Sequence, residues 1–314
     1  MDADETFLFD LCGYIVVPGV LTPDEVAAAN AAVDAHALLA VASQHRKGVD
    51  AVPQGRDLSD EGRWDHRGML GWDPPHRDPF VRMLGHPKLT RFINTICGTG
   101  HRMDHAPTLI TQRKGSPPGR LHGSSGPGFN PASYYVWRNG QMHNGLIVAS
   151  FQLVDCPEGA GGLAVVPGSH KGNCAMPAEM RDFRKHQDFV KQVVCKAGDC
   201  VIFSEATTHG TLQWTAEYQR RSVLYRYSPA NSAHAGGRHP FDAGYRAGAA
   251  WPASWYTGLT DAQLAVLEPP YVPAQQRPIL GDDGELTPES QALLEENGGW
   301  DGIGHNPHHL EGKL

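Results

Sequence analysis

No apolar run in the chain approaches the ~18 residues that a membrane-spanning helix needs, so none is expected among its 314 residues. Basic runs are missing as well. Lys and Arg number 27 against 34 Asp and Glu, a formal charge of −7. A net acidic chain of this kind is a poor partner for nucleic acid or an anionic membrane surface. The opening MDADETFLFD is acidic and lacks the basic-then-apolar pattern of a secretory leader. The six cysteines (Cys12, Cys97, Cys156, Cys174, Cys195, Cys200) include no CxxC pair. Neither a disulfide framework nor a zinc knuckle is expected, and a reduced, intracellular, cytoplasmic protein is. Charged residues are few, at 19%, but hydrophobic residues reach 40%, enough to exclude global disorder.

What is abundant is glycine and proline, 36 and 24 residues, nearly a fifth of the chain. That predicts many turns and a β-leaning fold. Seventeen histidines supply the commonest metal ligand. GYIVVP (13–18) reads as a strand, and Thr22-Pro23-Asp24-Glu25 as a helix start, with Thr at the N-cap and Pro at N1. Residues 44–75 read as a long loop, 78–84 and 86–97 as short helices. From about 105 the texture becomes β-branched and aromatic: 109–111, 146–154, 162–168, 189–195, 200–203 and 222–228 are expected strands. Helix starts recur at Thr260-Asp261 and Thr287-Pro288. The expectation is a single domain over 1–314: a helical N-terminal part with the first strand (1–104), a β core (105–230) and a C-terminal extension (231–314).

Three segments carry chemistry: Leu121-His122-Gly123-Ser124, Gly161 to Lys171 with its Pro-Gly-Ser-His, and Gly198 to Phe203 followed by Thr208-His209-Gly210-Thr211 and Arg220-Arg221. A strand is expected to end at His209, with Gly210 turning the chain beside it and the arginines on the next strand. That arrangement can offer one imidazole to a divalent metal and one guanidinium fork to a carboxylate, the pair of needs a 2-oxo acid bound to a metal presents. Taken alone, a surface histidine and two solvated arginines would account for the same letters.

In their order, GYIVVPGVLTPDEV (13–26), LIVASFQLVD followed by CPEGAGGLAVVPGSHK, and GDCVIFSEATTHGT with its trailing Arg resemble the phytanoyl-CoA dioxygenase family of Fe(II)/2-oxoglutarate oxygenases, over roughly residues 8–230. The resemblance implies a mainly β fold with flanking helices, a double-stranded β-helix (jelly-roll, cupin-like) barrel with iron at its open end. It implies a dioxygenase that takes molecular oxygen, 2-oxoglutarate and a small-molecule substrate. His122 matches the proximal and His209 the distal iron ligand. Arg220, with Arg221 as the alternative, matches the 2-oxoglutarate anchor, and Thr211 the hydroxyl that assists it. Gln112 and Thr111 are candidates to hydrogen-bond the cosubstrate. His143, Trp137 and Tyr135 are candidates to touch substrate.

The departure from the family pattern lies two residues after His122. There the family has Asp or Glu and this chain has Ser124, a neutral and poor ligand for Fe(II). Three outcomes follow: water or another side chain fills the place and hydroxylation persists, chloride fills it as in the related halogenases, or the barrel only binds. His76-Arg77-Asp78 is a literal His-x-Asp, but it sits at a helix entry ahead of the barrel strands. Glu205 is another carboxylate on the same face as His209, but about 13 Å away along an extended strand, so it reaches the metal only if the chain bends.

Overall fold

The computed structural model describes residues 1–42, 57–58, 62–123, 129–234, 251–271, 276–300 and 303. Two antiparallel sheets carry the architecture. The larger has seven strands in the spatial order β1 (Tyr14–Val17), β11 (Cys200–Ser204), β8 (Ile147–Gln152), β13 (Arg220–Ser228), β4 (Arg102–Gln112), β3 (Arg63–Arg67) and β2 (Asp57–Leu58). The smaller has four: β10 (Lys191–Gln192), β9 (Gly162–Val165), β12 (His209–Leu212) and β5 (Gly119–His122). A separate hairpin pairs β6 (Tyr135–Arg138) with β7 (Gln141–Asn144). The helices are α1 (Ala3–Cys12), α2 (Pro23–Ala42), α3 (Asp78–Met83), α4 (Pro87–Cys97), α5 (Ala178–Arg181), α6 (Ala253–Tyr256), α7 (Asp261–Val266) and α8 (Pro288–Asn297). The expected mainly β fold is thus a mixed one of helices and antiparallel sheets. The expected barrel is not seen in closed form, because the described strands are hydrogen-bonded as two separate arrays.

The central strands of the large sheet, β8, β11 and β13, are buried on both faces, and strand alternation sorts their residues between two cores. Val148, Val201, Phe203, Leu224 and Ile110 point at the small sheet and pack with Val165, Val193 and Trp214. Their neighbours Ile147, Ala149, Phe151, Ile202, Val223 and Tyr225 point the other way, onto Ala29 and Val33 of α2, Phe80 of α3 and Phe92 of α4. Burial on both sides explains why β8, β11 and β13 read as continuous apolar runs in the sequence. Among the described residues no helix is long and apolar enough to cross a membrane.

Several expectations need correction. The stretch 44–75 is not all loop: its described part contains β2 and β3. Arg-Trp-Asp-His-Arg has no apolar alternation and is held instead by backbone pairing to β4, Trp64 opposite Thr111. The run 189–195 forms only the two-residue β10 and an isolated Cys156–Cys195 bridge. His209 begins a strand rather than ending one. Gly210 lies within that strand, and its lack of a side chain serves a close approach, since a Cβ would stand 2.7 Å from Gly119 O.

Candidate metal and cosubstrate site

His122 closes β5 and His209 opens β12, and the two are direct partners across the small sheet. Their ring centroids are 4.2 Å apart. His209 is buried and His122 is exposed at the rim. Each imidazole places Nδ1 against the carbonyl two residues before it, His122 on Arg120 O at 3.0 Å and His209 on Thr207 O at 2.8 Å. With Nδ1–H as donor, each ring leaves the Nε2 lone pair available, the orientation in which a carbonyl holds a metal-ligating histidine.

Glu205 joins them. Alternation along β11 puts Val201 and Phe203 on the inner face, and Glu205, one residue past the strand, continues that parity. The chain then bends sharply, with Thr207 N donating to Ser204 O at 2.8 Å. The bend brings Glu205 Oε2 to 3.8 Å from His209 Nε2, while its Oε1 meets Arg226 Nε at 3.5 Å. Burial acts to raise the Glu205 carboxyl, but His209, Arg226, His122 and His105 outweigh it and hold the group below its usual value. Burial pushes the His209 imidazole down, against the pull of Glu205. Among the described residues no three His, Cys, Asp or Glu side chains are drawn in tightly enough to hold an ion as they stand.

The bend is fastened from several sides. Glu205 N donates to Leu146 O at 2.9 Å, Ser133 Oγ to Glu205 O at 2.9 Å, Thr208 N to Ser169 Oγ at 2.7 Å, and Thr207 Oγ1 to Gly13 O at 2.8 Å. Ser169 belongs to the Pro-Gly-Ser-His segment, whose His170 turns away to place Nε2 2.9 Å from Asp10 O. Gly13 at the start of GYIVVP and Ser169 of Pro-Gly-Ser-His thus buttress the turn.

Arg220 lies deeper between the sheets. It is 3% exposed, and its Nη1 donates to Gln112 Oε1 at 2.7 Å, the two residues being partners across β13 and β4. Among the described residues its Nε has no hydrogen-bond partner, although the Cys156 thiol lies beside the guanidinium. The ionisable groups facing it are Cys156, Arg63 and Cys195, and no carboxylate pairs with it among the described residues. Burial lowers its pKa from the ordinary value without discharging it. A buried guanidinium with an open donor and no counter-carboxylate is costly by itself and fits a ligand carboxylate. Thr211 is on β12 two residues below His209, about 7 Å along the strand. An ideal Cβ on Gly119 would stand 3.5 Å from both Thr211 Oγ1 and Arg63 Nη1, so Arg63 borders the same space, a neighbour the sequence did not suggest.

The remaining candidates are placed as follows. Arg221, the alternative anchor, points to the opposite face and pairs with Asp34 and with Asn30 Oδ1 at 3.0 Å, away from the face that carries Arg220. Thr111 shares that outer face, its hydroxyl 3.4 Å from Trp64 O. Tyr135 donates to Asp10 and packs edge-on to His170. With Trp137 it lines a cleft of about 860 Å³ against α1. His143 is exposed on β7 opposite Val136. Among the described residues no hydrogen bond or ring contact ties these three to His122 or His209. His76 stands edge-on to His36, and Asp78 is the first residue of α3, away from the imidazole pair. Ser124 lies outside the described residues.

A family model described as phytanoyl-CoA dioxygenase (PhyH) matches residues 9–222. The chain belongs to the PhyH family. It is therefore an Fe/2-oxoglutarate-dependent dioxygenase family enzyme. Among solved structures it is similar to HygX from Streptomyces hygroscopicus with nickel and 2-oxoglutarate bound, at 18% identity and a TM-score of 0.60 over 74% of this chain and 89% of that one. It is similar also to SnoN, the non-heme alpha-ketoglutarate-dependent epimerase from nogalamycin biosynthesis, at 20% identity and a TM-score of 0.51 over 76% and 91%. AviO1 from Streptomyces viridochromogenes Tue57 matches at 18% identity and a TM-score of 0.51 over 76% and 97%. At these identities the likeness is one of fold, which this PhyH-family chain shares. A comparison with curated proteins found no match.

Proposed function

We propose that this PhyH-family enzyme hydroxylates a small-molecule substrate, with Fe(II) held by His122 and His209 and 2-oxoglutarate anchored by Arg220 and Thr211 on a jelly-roll frame. The reading is carried by one observation: two register-paired imidazoles turn both Nε2 atoms free of the backbone, and between the same two sheets lies a buried guanidinium that no carboxylate pairs with among the described residues. When bound, iron and 2-oxoglutarate supply the oxidising power: dioxygen is consumed, the oxo acid leaves as succinate and CO2, and a C–H bond becomes an alcohol.

The chain's own part is positional. The carbonyls of Arg120 and Thr207 fix the imidazole tautomers. Gln112 holds the Arg220 fork in place, leaving donors aimed at the far carboxylate of the oxo acid. The Val165–Phe203 core lies between the sheets and keeps water from the buried end. HygX is solved with hygromycin B and SnoN with nogalamycin RO; the substrate proposed here is likewise a small molecule, with His143, Trp137 and Tyr135 as rim contacts.

Chloride as an iron ligand is the less favoured reading. It needs an uncharged slot beside the histidines, and the Glu205 carboxylate stands 3.8 Å from His209 Nε2. Anaerobic addition of Fe(II) and 2-oxoglutarate tests the proposal. A metal-to-ligand band in the visible is expected, lost in His209→Ala, with succinate formed once oxygen and substrate are admitted. No band in the wild type would leave a barrel that only binds. A band or product pattern altered by added chloride would restore the halogenase reading.

A further inference from the structure

We infer that Glu205 supplies the carboxylate ligand of the metal, from the turn before His209 rather than from the position two residues after His122. The inference rests on the proposed placement of iron at His122 and His209. Residue 124 is a serine, so the motif that brings the first histidine brings no anion with it. A dication held by two neutral imidazoles alone lacks the third, charged donor of the two-histidine, one-carboxylate arrangement. Glu205 is in place to provide it. Its side chain continues the inward parity of Val201 and Phe203, and its Oε2 is 3.8 Å from the Nε2 of His209, the nitrogen that the Thr207 carbonyl leaves free.

Two donors at right angles on one ion, each at 2.0–2.2 Å, stand about 3 Å apart. The Glu205–His209 gap is therefore wider than a ligand pair by less than an ångström, and the three side-chain torsions of a glutamate can close it without moving the backbone. The second oxygen is already engaged: Arg226 Nε lies 3.5 Å from Oε1, and Arg226 Nη1 reaches Thr108 Oγ1 at 3.5 Å. A ligating carboxylate is ordinarily oriented by such an outer partner. The backbone fastening of the turn, to Leu146, Ser133 and Gly13, fixes the carboxylate relative to His209. The competing account is that Glu205 serves only as counter-ion to Arg226.

The test measures Fe(II) affinity of the full chain under anaerobic conditions, together with the rise in melting temperature that Fe(II) produces within each variant. Reading that rise within a variant cancels any general loss of stability. Wild type binds one equivalent, His209→Ala loses binding, and Glu205→Gln weakens it at least about a hundredfold, more than the tenfold to hundredfold typical of an outer-shell partner. Arg226→Gln, which removes the counter-ion and keeps the carboxylate, weakens binding far less. If Glu205→Gln does not fold, Glu205→Asp shortens the same arm and is expected to lose most of the Fe(II)-induced rise. Wild-type affinity in the Glu205 variant alongside loss in His209→Ala would overturn the inference and leave the histidine site standing. Absence of Fe(II) binding by the wild type would overturn both.

Discussion

The α-carbon of Gly123 lies against the main chain of Glu205: a methyl group on Gly123 would stand 2.7 Å from Glu205 O and 2.8 Å from Thr207 O. Gly123 also has φ +84°, a region where a side chain is strained. The strand that delivers His122 and the turn that delivers Glu205 and His209 are thus pressed together through a residue without a side chain. Gly123→Ala is expected to cost about 1–3 kcal/mol of stability and to weaken Fe(II) binding while leaving 2-oxoglutarate contacts at the other end intact. Thermal melts with and without Fe(II) read both. Unchanged metal affinity would mean that the turn is not held by this contact.

Gly162 makes the reciprocal case. Its Cβ would meet Arg220 Nε at 3.1 Å and Trp214 at 3.5 Å, at φ +83°. Gly162→Ala is expected to raise the KM for 2-oxoglutarate with little change in Fe(II) affinity, the opposite pattern to Gly123→Ala. Steady-state kinetics with metal titration separates the two; a matched loss in both would show that the ends of the site are not independent.

Arg220→Met tests the buried guanidinium. Truncating one member of a buried charge pair costs about 2–5 kcal/mol of binding, so 2-oxoglutarate affinity should fall at least about thirtyfold. Without ligand, the variant should melt no lower than wild type, because it removes a buried charge that no carboxylate pairs with among the described residues and replaces it with an apolar chain. Calorimetric binding and ligand-free melting check the two halves, and a large drop in ligand-free stability would contradict the second.

Acid lability has a definite sign. Burial pushes His101 and His170 from 6.5 down to about 4. Their neutral forms therefore stabilise the fold fully above about pH 6.5, and that contribution fades as pH falls toward 4. Each is worth about 1–2 kcal/mol at pH 5. Glu268 opposes them. Burial outweighs Arg277 and raises its carboxyl to about 7, so its contribution is full below pH 4.5 and fades as pH rises toward 7. Urea midpoints between pH 7 and 5 should fall, fall less in His101→Gln/His170→Gln, and fall more steeply in Glu268→Gln. A flatter profile in the Glu268 variant would reverse this assignment.

The sequence exposed what depends on side chains lying in the apolar core. β8, β11 and β13 announce themselves because both faces are buried, and α2 announces itself through Thr22, whose Oγ1 accepts from Glu25 N at 3.3 Å. It hid what depends on backbone pairing. β3 is a polar strand between β4 and the short edge strand β2, and the β6–β7 hairpin lies outside the apolar runs that mark the expected strands. His122 and His209, read from their motifs 87 positions apart in the numbering, meet as strand partners. Glu205 could not be read the same way. Along an extended chain the two backbones would stand about 13 Å apart, and only the turn, whose bonds come from Gly13, Ser133, Leu146 and Ser169, lets Glu205 Oε2 come within 3.8 Å of His209 Nε2. No local pattern records bonds from four distant segments.

The bond from Thr207 Oγ1 to Gly13 O, together with Ser204 N on the same oxygen at 3.2 Å, joins the first strand of the chain to a turn some 190 positions later. Contacts of such long range form slowly. During synthesis β1 emerges well before β11 and must wait for it before it can pair. The carboxylate and the distal imidazole should therefore come into register only in the last stage of folding, so that a chain stalled before that stage would hold neither metal nor cosubstrate.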